Sequence, residues 1–119
     1  MVKVLGEGRI IAILMDQDAR RNGVFVGFFG RMASTAQGAA ALARLKDAPI
    51  VPAFITENND GTHTVILHPP IWLKKTSNRE QDILAMTQHL TVIIEKHIQQ
   101  YPHEWFWLHN RWKSIPPVN

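Results

Sequence analysis

Asp16, Arg31, Ser34 and Thr35 are the residues whose types and surroundings could do chemistry together. Asp16 closes an apolar run, Ile10 to Met15, while Gly30 and Arg31 follow a second one, Val24 to Phe29. Beyond them Ala36, Ala39, Ala40 and Ala43, with Leu42 and Leu45, recur at helical spacing. This predicts a helix that opens at Ser34 or Thr35 and ends near Lys46-Asp47. The free N–H groups of a helix's first turn, the positive end of its dipole, a glycine admitting close backbone approach and a guanidinium all favour a phosphate or carboxylate. The plainer reading is that Gly30 turns the chain, Ser34 caps the helix and Arg31 points into water. Asp16 has two readings as well. Ligands of open α/β sheets bind at the carboxyl ends of strands, where Asp16 is expected to lie. It could equally cap its own turn beside Asp18 and Asn22-Gly23.

Other chemistries are poorly served. There is no cysteine among the 119 residues, which excludes disulfides and thiolate sites. His63 and His68 lie five apart on an expected strand and so face opposite sides, and His89 and His97 have no carboxylate at a ligand position between them, so no metal site is expected. Gly6-Glu7-Gly8 precedes a strand-like run instead of following one, and Ser34 lacks a Gly-x-Ser-x-Gly elbow. Trp105, Trp107 and Trp112, interleaved with His109, Arg111 and Lys113, could stack bases, pack as a lid or sit at a lipid interface. Packing with an interface suits them better, because the rest of the surface is not strongly basic.

The elements that must position these residues follow from composition and period. A 45% hydrophobic, 19% charged chain of this length builds one domain with a core, and a net charge of +3 is mildly basic. No signal peptide or membrane-spanning run is visible. Val2 to Leu5 resembles the last turn of a helix. Ile10 to Met15 and Val24 to Phe29 read as strands buried on both faces. Ile50 to Thr56 and Thr62 to Leu67 read as a hairpin around Asn58-Asn59-Asp60-Gly61. A long helix is expected from Asn78, with Ile83, Met86 or Thr87, Leu90, Ile93, Ile94 and His97 on one face, broken at Tyr101-Pro102. The order β, β, α, β, β, α predicts an α/β fold, a mixed sheet flanked by helices.

Several blocks together carry a family resemblance. Gly8-Arg9 with the run to Asp16-Gln17-Asp18, Val24 to Arg31, Ser34-Thr35, Pro49-Ile50-Val51-Pro52, and Pro102 to Lys113 with its Trp-x-His-x-Arg-Trp-Lys ending are similar to the C-terminal part of the lipid A biosynthesis lauroyl/myristoyl acyltransferases. These belong to the lysophospholipid acyltransferase superfamily. The resemblance covers essentially the whole chain, residues 1–119, as one C-terminal part of an acyltransferase domain. It implies a partial glycerol-3-phosphate-acyltransferase-like fold.

The resemblance also implies a reaction: transfer of a fatty acyl group from acyl carrier protein, or acyl-CoA, to a hydroxyl of a lipid A precursor or related lipid. It implies the cytoplasmic face of the bacterial inner membrane, with acyl carrier protein, an anionic lipid acceptor and the membrane surface as partners. No nucleic acid, metal or cofactor beyond the acyl donor is expected. The family's base is the histidine of a His-x-x-x-x-Asp/Glu motif, whose acid orients the imidazole. Five residues beyond each histidine here stand His68, Leu73, Ile94, Pro102, Leu108 and Ser114, so the motif is missing. The expectation is a later half of such an enzyme, with membrane helix and dyad upstream and Met1 inside a helix of the whole. Asp16 would then support catalysis. Arg31, Ser34 and Thr35 correspond to the superfamily's phosphate-binding Pro-Glu-Gly-Thr-Arg-Ser block, although no glutamate is present and Gly27 stands where many relatives have proline. His109, Arg111 and Lys113 match the terminal block, structural or head-group binding. A non-catalytic module binding anionic lipid or acyl carrier protein is the alternative.

Overall fold

The computed structural model describes residues 1–118. Apolar residues form strands there only where a short turn brings them a partner. β1 (Val24–Phe28) pairs antiparallel with β2 (Arg31–Thr35), Phe28 opposite Arg31 and Val24 opposite Thr35. Phe29 at φ 49° and Gly30 at φ 75° make the two-residue link. A tight hairpin that follows the strands' twist needs positive φ at both positions, which glycine adopts freely and phenylalanine does not. Phe29 is held there by its ring, edge-on to Phe28 at 4.8 Å, and by its N–H, donated to Glu95 Oε2 at 3.0 Å.

The second hairpin, β3 (Ala53–Glu57) and β4 (His63–Leu67), closes around the Asn-Asn-Asp-Gly turn as expected. Pro52 stands just before β3, where its missing N–H costs no ladder bond, and its carbonyl accepts from His68. Among the described residues three α-helices accompany the strands: α1 (Val2–Gly6), α2 (Gly38–Lys46) and α3 (Arg79–Gln100). The chain is therefore α/β, and the four strands among the described residues are split between two separate antiparallel pairs.

α3 organises the interior. Asn78 caps it by accepting from the Gln81 N–H, and Glu80 and Asp82 complement the positive end of its dipole. Asp82 also accepts from Thr76 and Arg44, and these bonds, the Thr76 hydroxyl first, draw its pKa from 3.8 to about 2. The first part of the expected stripe is buried, Ile83, Met86 and Leu90 meeting Ala40 of α2, whereas Ile93, Ile94 and His97 are half-buried and Ile98, outside the expected stripe, meets Phe28 and Ala33 of the first hairpin. Its flank does a second job. Gln88 accepts the Gly27 N–H at 2.7 Å and donates to the Gly27 carbonyl at 2.9 Å, while Glu95 takes the Phe29 N–H. Side chains of α3 thus satisfy the outer edge of β1, which would otherwise be open to pairing with another chain.

Two expectations are corrected. Ile10 to Met15 is not a strand but runs without a ladder partner, leaving Ile10 96% and Leu14 89% exposed. An apolar run becomes a strand only against a neighbour, and among the described residues it has none. Likewise, the helix does not open at Ser34 or Thr35. The turn at Phe29-Gly30 sends the chain straight back along β1, so Arg31 to Thr35 pair as β2 and the helix begins at Gly38.

Candidate functional site

The terminal block reaches back across the chain to the segment between Asp16 and Arg20 and to the first hairpin. The Asp18 N–H donates to His109 Nε2 at 3.0 Å. The Asp18 carboxylate accepts from the Ser114 N–H at 3.3 Å and the Ser114 hydroxyl at 2.9 Å, and from the Arg20 N–H at 3.2 Å. One carboxylate thereby ties two segments more than ninety positions apart. The contents, Ser, His and Asp, are those of a hydrolase triad, but the wiring is not. Ser114 donates directly to the carboxylate, and the imidazole nitrogen that would take its proton is engaged by a backbone N–H.

Arg111 lies beside this clasp and is 2% exposed. It donates to the Ser34 carbonyl at 2.7 Å and to the Thr35 hydroxyl, and its guanidinium lies 5.3 Å from the centre of the Phe28 ring. No carboxylate is in ion-pair contact with it among the described residues. Burial pushes its pKa down, and the charges of Asp18 and then Asp16 pull it back up. A buried cation whose bonds go to neutral groups carries a large desolvation cost that its neighbours only partly offset.

From Phe28 the contacts continue outward. Its ring lies 5.4 Å from that of Trp112, and the Arg31 guanidinium sits 5.1 Å over Trp112. Arg31 is exposed, stacked and free of any ion pair among the described residues. A groove of about 320 Å³ opens beside it, lined by Arg31, Met32, Trp112, Ser114, Ile115 and Pro116. The depression is shallow, open and only partly apolar, and Arg31 stands at its edge.

Four of the residues singled out from sequence come together here, Ser34, Thr35, His109 and Arg111, while Asp16 makes no side-chain hydrogen bond or ion pair among the described residues and reaches Arg111 only through its charge. Arg31 joins them through Phe28 and Trp112, whereas Lys113 is exposed and makes no ion pair among the described residues. The geometry corrects the placement of Ser34 and Thr35. Both are fully buried in β2, not at a helix start; Ser34 donates to the Arg20 carbonyl at 2.6 Å, and Thr35 receives Arg111. Gly23 matters for its lack of a side chain, because a Cβ there would lie 2.3 Å from Ser34 Oγ and 2.9 Å from the Thr35 nitrogen. Asp18 and Ser114 were missed as a pair. Ninety-six positions separate them, and no local pattern links an aspartate in a turn to a serine in a proline-rich tail.

Residues 1–114 match the family model described as bacterial lipid A biosynthesis acyltransferase, and the chain belongs to that family. It is 31% identical over 119 residues to the lipid A biosynthesis lauroyltransferase of Escherichia coli (strain K12), covering 98% of this chain and 38% of that protein. It is 29% identical over 120 residues to the lipid A biosynthesis acyltransferase of Haemophilus influenzae, covering 98% and 37%. The phosphatidylinositol mannoside acyltransferase of Mycolicibacterium smegmatis is 29% identical over 108 residues, covering 91% and 34%. The chain thus spans little more than a third of the length of these relatives. No helix among the described residues is long and apolar enough to cross a membrane.

Proposed function

We propose that this chain forms the acceptor-side part of an enzyme that moves a fatty acyl group from acyl carrier protein, or acyl-CoA, to a hydroxyl of a lipid A precursor or related lipid. The family match over residues 1–114 carries the reading, and the relatives' names supply the acceptor class. Arg31 takes a phosphate of the acceptor, the groove beside it takes apolar portions of the same molecule, and Lys113 adds a second exposed cation. Asp16, whose charge acts on Arg111, supports the reacting groups. His109, Ser34 and Thr35 hold the clasp and Arg111 in position.

The proton acceptor comes from outside these residues. His109 is the one imidazole in the cluster among the described residues, and its Nε2 is already engaged. The work is done at the cytoplasmic face of the inner membrane, where acyl carrier protein and the anionic acceptor meet. The test is to supply the protein in its longest encoded form with acyl-acyl carrier protein or acyl-CoA and a phosphorylated lipid acceptor, and to look for the new ester by mass spectrometry. Ester formation with either donor is expected; none with both would sink the reading. The engaged imidazole also favours a second reading, a non-catalytic module for anionic lipid or acyl carrier protein, for which binding without turnover in that assay would be the sign.

A further inference from the structure

Arg31 is the exposed member of a stack that runs inward from the surface of the first hairpin. Its guanidinium sits 5.1 Å over the Trp112 ring, that ring lies 5.4 Å from the ring of Phe28, and Phe28 in turn lies 5.3 Å from the guanidinium of Arg111. A cation therefore stands at each end, with two aromatic rings between them. The inner end is buried and the outer end is open to solvent.

Both partners of the outer contact are held in place. Arg31 stands opposite Phe28 at the closed end of the hairpin, next to the two-residue turn whose Phe29 N–H is docked on Glu95. Trp112 donates its Nε1 proton to the Phe28 carbonyl at 3.3 Å, which fixes the indole on the same strand that pairs with Arg31. The residues around Trp112 are tied as well: Arg111 donates to the Ser34 carbonyl and the Thr35 hydroxyl, and Ser114 donates to Asp18. The Asp18 clasp, which lacks the wiring of a triad, thus has a mechanical consequence. It sets the ring on which Arg31 lies.

An arginine alone on a hairpin surface samples many rotamers, and ordering it on binding lowers affinity. A guanidinium that rests its face on an aromatic ring is ordered beforehand and keeps its N–H edge for an oxygen anion. No ion pair engages Arg31 among the described residues.

We infer that Trp112 is a positioning residue for Arg31, presenting its guanidinium to a phosphate, with the Asp18 clasp and Arg111 holding Trp112 in place. The inference rests on the proposed function's reading of Arg31 as the cation that takes a phosphate, and it gives Trp112 a part in that site.

The test is calorimetric titration of the chain with two probes, inorganic phosphate and a short-chain phosphatidic acid below its micelle concentration. Trp112→Leu should weaken binding by about two- to fivefold, the worth of one exposed cation–aromatic contact, and Trp112→Phe should lie between leucine and the parent. In an Arg31→Ala background, Trp112→Leu should change nothing further. Tighter binding of phosphatidic acid than of inorganic phosphate assigns the site to a lipid head group and equal binding assigns it to phosphate alone; with the coupling present, either carries the inference. Proton NMR of the unliganded parent needs no variant and decides the matter should Trp112→Leu fail to fold by circular dichroism: the Arg31 side-chain methylene protons should be shifted upfield by the indole. Unshifted methylene protons, phenylalanine no better than leucine, or equal weakening by Trp112→Leu with and without Arg31 overturns the positioning role. Binding that still falls with Arg31→Ala in that case leaves the proposed function standing. No binding of either probe by the parent overturns the reading of Arg31 itself, and the inference with it.

Discussion

Replacing Arg111 with methionine separates what this residue does for the fold from what its charge does. Two charge-assisted bonds are lost, to the Ser34 carbonyl and the Thr35 hydroxyl, each worth about 1.5–3 kcal/mol. Neither partner is left empty. The Ser34 carbonyl still accepts the Ala19 N–H at 3.1 Å, and the Thr35 hydroxyl still donates to the Ala33 carbonyl at 3.1 Å. Against the loss stands release of a buried charge with no carboxylate in contact, whose desolvation penalty is about several kcal/mol. Methionine keeps most of the side-chain length beside Phe28, so Arg111→Met should change stability by less than about 2 kcal/mol. Arg111→Ala removes the same charge but adds a cavity, and it should fall below the methionine variant by about 2–5 kcal/mol. Urea unfolding followed by circular dichroism and tryptophan fluorescence reads both. Equal destabilisation by the two variants would refute the reasoning, because the charge and its bonds would then outweigh the packing.

Other perturbations have definite expected outcomes. Gln88→Ala removes both bonds to Gly27 and should cost about 2 kcal/mol in urea unfolding, with faster hydrogen exchange at the Gly27 amide. Gly23→Ala drives a Cβ into Ser34 and the Thr35 backbone, and should cost about 1–3 kcal/mol or more by the same measurement. His97 is stacked on Phe54 at 3.9 Å; burial lowers its pKa, against the Glu104 charge that raises it, while His68 lowers it further. A histidine depressed in the fold stabilises above its unfolded value of 6.5 and loses that contribution as pH falls below it. The His97→Phe variant should therefore lose less stability than the parent between neutral pH and pH 5, measured as the shift in melting temperature.

Much of the fold was legible where the signals were local. The Asn58 to Gly61 turn, the helix start expected at Asn78 and the 3.6-residue spacing of α3 each carry their information within a few positions, and each element stands where they put it. The two failures have one physical cause. Whether Ile10 to Met15 becomes a strand depends on a neighbour elsewhere, and whether Met32 to Thr35 is helix or strand depends on a turn that forces phenylalanine to positive φ. Alanine spacing alone carries neither fact. Four of the residues read from sequence, Ser34, Thr35, His109 and Arg111, lie in one connected set of contacts around Asp18 and the first hairpin. Their roles were not legible, because burial turned Ser34 and Thr35 from ligand-facing residues into holders of Arg20 and Arg111. The pairing of Asp18 with His109 and Ser114 arises only from the fold's closure.

The proposed function is a division of labour, in which these residues receive and position an acceptor and the proton-accepting group lies outside them. The most direct measurement compares residues 1–119 with the protein's longest encoded form, at equal concentration, for ester formation from acyl-acyl carrier protein and for binding of a phosphorylated lipid acceptor. The expected result is turnover by the longer form alone, with acceptor binding by both that weakens on Arg31→Ala. Ester formation by residues 1–119 at a rate comparable to the longer form would contradict it, because a base would then have to exist among groups whose imidazole is already engaged.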